Sequence, residues 1–557
     1  MNRIICIVLL LLTYYTAFAQ NQLTVSGVVT DGASQETIPG VTIYLKDRPG
    51  MGTTTDIDGK FSIKATRGDV IVFSSVGYET FEYLVSKDEP NLQVSMKEGA
   101  IMLEEAVVTG MGTTQRKVSV VGAISSVNVK ELQTPGSSIN NMIGGRIPGI
   151  ISMQTSGEPG DDISEFWVRG IGTFGANSSA LVLIDGLEGN LSDIDPADVE
   201  SFSVLKDASA TAVYGVRGAN GVVLVTTKRG EEGKLQITGR ANFTLSHITR
   251  MPEYVDSYDY ALLANEARVV RGDLPLYSDM ELTLIQRGLD LDLYPNIDWQ
   301  KEIMKKNTYK QSYYASIRGG GKLARYFVSL GLSNEPAAYK QASNSDYNKN
   351  IGYNKYTFRS NIDINLTEST KIYFGSEGFY SKNTLPGINS TDQLWQSLAM
   401  LTSITIPKVY STGDIPAYGT GYNTVSPYVL LNHTGIRTKE QSNLQITLSV
   451  EQDFSKILKG LRMRAQGAYT ATNYFDEDRM TLPDLYFAEG RNVDGSLRLV
   501  RRIQAQQTAY GYSQDQYRKF FFESTMTYEN IFADNHRVTG LLYYNISDHK
   551  KVSDILG

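Results

Sequence analysis

From Lys234 onward the chain alternates apolar and polar residues over long stretches, and this period of two is what most restricts its fold. In KLQITGRANFTLS, residues Leu235, Ile237, Gly239, Ala241, Phe243 and Leu245 share one face, and Gln236, Thr238, Arg240, Asn242 and Thr244 share the other. A strand points successive side chains to opposite sides, so the pattern specifies a sheet with one apolar and one polar surface. Comparable runs occur near 309–318, 323–333, 355–367, 370–381, 442–453, 460–473, 517–529 and 536–547. These are nine candidate strands of about ten residues, the length a tilted membrane strand requires.

The connections between the runs fall into two size classes. Residues 248–308, 334–354, 382–441 and 474–516 are long, whereas 319–322, 368–369, 454–459 and 530–535 are tight. Outer-membrane barrels have short periplasmic turns and long outer loops, so a transmembrane barrel is expected rather than a soluble sandwich or solenoid. Nine strands starting from the periplasm end outside, and Ile555-Leu556-Gly557 is not a closing aromatic strand. The expectation is therefore residues 231–557 as the N-terminal part of an incomplete antiparallel barrel. The 34 Tyr and 50 Gly suit such a β-rich chain, and the formal charge of -7 argues against nucleic acid as a partner.

The N-terminus has the pattern of a cleaved secretory signal over residues 1–19. Arg3 supplies the positive region, Ile4–Leu12 the apolar stretch and Ala17-Phe18-Ala19 the small-x-small site. The apolar stretch is too short to span a bilayer, which needs roughly 20 residues. The only cysteine, Cys6, falls within this signal, so no disulfide is expected in the exported chain. Residues 20–98 contain short strand-like runs between Gly, Pro and Asp turns, as in a small β-sandwich. Asp56-Ile57-Asp58-Gly59 begins like a calcium loop but lacks later ligands, and a hairpin turn is expected there. Residues 99–115 are an extended linker with a β-prone centre, either a plain connector or a strand offered to a partner by edge pairing.

Residues 116–230 form a second folded unit. Ala180–Ile184 and Gly221–Thr226 have the composition of strands, and Asp207 is expected to cap a short Ala-rich helix that Gly215 ends. Gly170-Ile171-Gly172-Thr173-Phe174-Gly175 fits a dinucleotide pattern, but no helix follows it, so a turn is expected. The acidic residues Asp193, Asp195, Asp198 and Glu200 lack a partnering base and are expected in a solvated turn. His247, His433, His536 and His549 are scattered, and neither a phosphate-binding loop nor a nucleophile elbow is found. No catalytic residue, cofactor or metal is expected.

Several of these stretches carry a resemblance. VSGVVTD, PGVTIYLKD and GTTTDIDGKFSI resemble the carboxypeptidase-regulatory-like module of the SusC/RagA group of TonB-dependent outer-membrane transporters. LEEAVVTGMGTTQRK is similar to the Ton-box region that follows this module. GGRIPGI, WVRGIGTFG, LVLIDGLEG and VLKDASATAVYGVRGANGVVLVTTKRG are similar to the plug signatures. The fold implied is mainly β: a sandwich, an α+β plug, then barrel strands. The resemblance implies that Leu103, Glu104, Glu105, Ala106, Val107, Val108, Thr109 and Gly110 engage TonB and its inner-membrane energising complex. It assigns Arg169, Gly170, Asp185, Gly186, Lys206, Asp207, Tyr214, Gly215, Arg217, Asn220 and Gly221 to the plug signature. Active import of an oligosaccharide or peptide across the outer membrane is implied, in contact with its lipid and often beneath a SusD-like surface lipoprotein. A surface binding or adhesion protein without energy coupling is the competing expectation.

Overall fold

The computed structural model describes residues 22–552 apart from 33–35, 47, 76–77, 79, 97–105, 110–112, 117–123, 128–137, 171–178, 208–210, 343–349, 422–423 and 533–535. The signal sequence and Leu103, Glu104, Glu105 and Gly110 lie outside the described residues. Two compact units are present. One runs to Ala106 and includes 115–119; the other comprises 107–114 and everything from Val120.

In the first unit, β1 (Gln22–Asp31), β2 (Thr42–Leu45), β3 (Arg48–Thr54), β4 (Lys60–Thr66), β5 (Val70–Ser74), β6 (Phe81–Leu84) and β7 (Glu89–Met96) form two sheets. Their orders are β4-β1-β7 and β3-β2-β5-β6. Alternation in β4 buries Phe61, Ile63 and Ala65 against Val25, Ile43 and Phe73, giving the expected sandwich core. The turn at Asp56–Gly59 is not a hairpin, because β3 and β4 belong to different sheets. Its Asp56 carboxylate instead accepts from the N–H groups of Asp58 and Lys60, an Asx turn that carries the chain between sheets. In the linker, β8 (Ala106–Thr109) pairs with β9 (Thr113–Arg116).

The second unit begins with β10 (Ile124–Val127), β11 (Ile150–Met153), β12 (Glu165–Val168), β13 (Leu181–Ile184), β14 (Leu187–Glu188), β15 (Val199–Leu205) and β16 (Val222–Thr227). Five of them form a sheet of order β10-β15-β16-β13-β14, and β11 pairs with β12. Phe202, Val204, Val223 and Val225 bury one face of the sheet against the short helix Ile139–Ile143. The expected Ala-rich helix is a 3₁₀ segment, Ala212–Gly218, in its described part. Gly215 sits inside it at φ 57, where it kinks the segment rather than capping its end.

Beyond the plug lie β17 (Gly233–His247), β18 (Asn307–Gly320), β19 (Ala324–Pro336), β20 (Gly352–Asn365), β21 (Thr370–Pro386), β22 (Ile415–Pro416), β23 (Gly435–Asp453), β24 (Leu461–Leu482), β25 (Leu485–Arg491), β26 (Leu497–Ile503), β27 (Gln506–Phe532) and β28 (His536–Val552), which build the wall and the small sheet of its loops. All but β22, β25 and β26 join one nine-stranded sheet in strict chain order, each strand antiparallel to the next. These nine strands fall on the nine alternating runs and extend beyond them, to 27 residues in β27. On β17, Leu235, Ile237, Phe243 and Leu245 are all exposed on the apolar face, away from the plug. Among the described residues, no helix is long and apolar enough to cross a membrane.

The long connections are folded rather than irregular. Helices Trp299–Ile303, Asp392–Met400 and Pro427–Asn432 pack with the small sheet β22-β25-β26 around Trp299, Leu394, Val429, Leu431 and Leu485. Tyr410 is buried there and its hydroxyl accepts from the Ala488 N–H at 3.0 Å, so it is a packing residue. Tyr418 packs against the same core, Trp395 is exposed, and Tyr422 lies outside the described residues.

Candidate functional site

The site is the polar interface between the plug and the inner face of the wall. It starts from a two-residue hairpin: β13 and β14 are joined by Asp185-Gly186, with φ 50 and 89. Positive φ at both central residues is the type I′ pattern, which favours Asp-Gly because Asp tolerates this region and Gly enters it freely. The turn projects the Asp185 carboxylate toward the end of β16. There Oδ1 accepts from the Thr227 N–H at 3.0 Å and Oδ2 from its hydroxyl at 2.5 Å.

Opposite this turn stands Arg359 of β20, buried with Asp185, Asp198 and Glu377 around it. Its guanidinium lies 3.8 Å from Asp185 and 3.5 Å from Asp198, and it pairs directly with Glu377. Tyr314 of β18 donates to Asp198 at 2.8 Å. Two residues along the same face of the strand, the Asn361 amide donates to Thr227 Oγ1 at 3.1 Å and to the Lys228 carbonyl at 2.7 Å. Arg229 donates to Asp363 at 3.0 Å and lies 3.7 Å from the Tyr373 ring centroid. A buried arginine needs such partners, since an unpaired charge in this setting carries a large desolvation penalty.

The acidic residues between β14 and β15 are therefore not in a solvated turn. Asp198 is buried and Asp195 meets Arg240 at 3.4 Å, while the Ser192 carbonyl accepts from Lys355. Burial, reinforced by the Asp198 carboxylate, holds Asp195 above the ordinary carboxylate range. Only Glu200 of the four is exposed. The partners of these acids lie on wall strands far along the chain, so local sequence gave no sign of them.

The remaining signature residues serve several parts of the plug. Arg169, at φ 58, pairs with Asp207, and Lys206 donates to the Pro148 carbonyl. Gly170 follows at φ 95, and the rest of the glycine-rich pattern lies outside the described residues. Arg217 pairs with Glu188 at 2.6 Å, and Glu188 also accepts from Lys519 of β27 at 2.9 Å. Tyr214 packs beside Leu205 and Val222, and Asn220 is buried. At Gly221, φ is 87 and a Cβ would come within 2.7 Å of Val168, so no side chain fits.

The interface thus joins Asp185, Asp198 and residues 227–229 at the end of β16 to wall residues that the sequence motifs did not single out: Tyr314, Arg359, Asn361, Tyr373 and, through Arg359, Glu377. Their signal was the alternation itself, which sets Arg359, Asn361 and Asp363 on the inner face of β20. Toward the long-loop end a cavity of about 450 Å³ lies between plug and wall, lined by Asp193, Tyr353, Lys355, Phe379, Glu440 and Tyr474 among others.

Comparisons with known proteins agree with this architecture. Residues 25–108 match the CarboxypepD_reg-like domain and residues 116–222 the TonB-dependent Receptor Plug Domain. The chain is 33% identical to TonB-dependent receptor P26 of Formosa agariphila, over 63% of this chain and 33% of that protein. It is 31% identical to TonB-dependent receptor SusC of Bacteroides thetaiotaomicron, over 63% of this chain and 34% of that protein. The match thus spans about a third of the length of these curated relatives. Among solved structures, the RagAB peptide importer in its open-open state superposes with a TM-score of 0.61 at 21% identity. That match covers 81% of this chain and 51% of the other, and the likeness is one of fold.

Proposed function

Because this chain belongs to the SusC/RagA family of TonB-dependent outer-membrane receptors, we propose that it works in active import of an oligosaccharide or peptide, with the plug as the gate. The observation that carries the reading is the plug held inside the wall through Asp185, Asp198 and Arg359. A folded unit fixed by polar contacts closes an aqueous lumen and is also released without exposing an apolar core. In this reading residues 1–19 direct export and are cleaved, and the sheet's apolar face meets outer-membrane lipid. Residues 103–110 offer a strand to TonB, whose inner-membrane complex supplies the force. A SusD-like lipoprotein covers the folded outer loops. The domains are taken as 20–98, 99–115, 116–230 and 231–557.

Deleting residues 103–110 from the full-length protein is expected to abolish growth on the imported nutrient while leaving surface binding of that nutrient intact. Undiminished growth would refute energy coupling through this segment and favour a surface binding protein.

A further inference from the structure

The plug's bonds to the wall are unevenly distributed. They reach β17 through Arg240, β18 through Tyr314, β20 through Lys355, Arg359, Asn361 and Asp363, and β27 through Lys519. Among the described residues, no hydrogen bond or ion pair joins the plug to β23 or β24, which lie between those attachments. The inner faces of these two strands are also chemically distinct. Gln441, Asn443, Gln445 and Thr447 of β23 stand beside Thr470 and Thr472 of β24, an uncharged run flanked by Glu377 on one side and Lys519 on the other.

These side chains satisfy one another along the wall: Thr470 donates to Gln445 at 3.1 Å and Thr472 to Asn443 at 3.0 Å. A second cavity, of about 180 Å³, separates them from the Asn190–Asp198 segment of the plug. It shares Asp193, Phe379, Gln441 and Tyr474 with the larger cavity at the long-loop end.

We infer that cargo passes between the plug and the β23–β24 face, the plug remaining attached along β18–β20 while it moves away from this uncharged seam. The seam offers amide and hydroxyl groups at the two-residue spacing of a strand, its own wall residues from Gln441 to Thr447 are uncharged on the inner face, and the charges that face it from the plug include the carboxylates Asp193, Asp195 and Asp198. It suits an uncharged polymer of repeating hydrogen-bond donors and acceptors, whether the hydroxyls of a glycan or the amides of a peptide. The inference rests on the import reading above.

The test uses single cysteines in the full-length protein on intact cells: Gln445→Cys and Thr470→Cys in the seam, and Ser329→Cys, buried on β19 of the attached face. Each is labelled with a membrane-impermeant sulfonated maleimide in energised and protonophore-treated cells. One arm receives a tryptic casein digest and another a maltodextrin ladder, to separate peptide from glycan cargo. Local opening should raise labelling of both seam cysteines about tenfold on energisation in at least one arm, with Ser329→Cys unchanged. A rise at Ser329→Cys equal to or above the seam, or no rise at the seam in either arm, overturns the inference. Removing residues 103–110 separates the two readings: a rise that survives the deletion counts against TonB coupling and leaves the route standing.

Discussion

Removing the Arg359 charge while keeping its bulk, as in Arg359→Met, leaves Asp185, Asp198 and Glu377 together without their shared cation. Stranding buried carboxylates in this way costs about 3–5 kcal/mol. Limited proteolysis of the full-length variant should therefore cut within the plug far faster than in the parent, and equal rates would show that Arg359 does not hold the plug. A second residue tests the plug's own packing. Gly221→Ala combines φ 87 with a Cβ 2.7 Å from Val168, and should destabilise by about 1–3 kcal/mol, read as a lower midpoint of thermal unfolding. The Asp185-Gly186 turn was legible in the sequence because Asp-Gly between two apolar runs specifies its own geometry. Arg359 was not singled out, because the plug carboxylates it meets, Asp185 and Asp198, are 174 and 161 positions away, and only the fold sets them side by side.

Among the elements, the wall strands were the most legible, since an apolar side repeats every second residue and fixes type and register together. The helices within the long connections were missed for the opposite reason: most are short, and the buried apolar residues of all of them find their partners in other parts of the loops. One local signal was nevertheless present. Ser278 and Glu281 form a capping box on the helix Asp279–Arg287, with Ser278 N–H and hydroxyl both donating to the Glu281 carboxylate at 2.8 Å. Ser278→Ala should cost about 1 kcal/mol, measured as faster amide exchange across 279–287 in the full-length protein. The same bonds, led by the Ser278 backbone N–H, hold the Glu281 carboxyl below its ordinary range. A depressed carboxyl stabilises the folded form above its unfolded pKa and loses that contribution as pH falls through the folded value. Protection of 279–287 should thus be full near neutrality and decline in the acid range below the ordinary glutamate pKa, whereas decline above it would contradict the assignment.

At the scale of the whole molecule, a sheet with an apolar outer face, a polar inner face and a plug fixed to it by buried ion pairs are joined in one unit. Its outer surface is set by alternation, its attachment by side chains far apart in sequence, and its proposed drive by a segment of eight residues. Edge pairing would make main-chain hydrogen bonds the source of affinity between that segment and TonB, so proline should be far more damaging than a change of side chain. The most direct test is to titrate the periplasmic domain of TonB against the full-length protein and its Val108→Pro and Val108→Ile variants. Val108→Pro should weaken binding by more than about tenfold, a loss of ~1.4 kcal/mol, with Val108→Ile close to the parent. Undiminished binding by Val108→Pro would contradict the account.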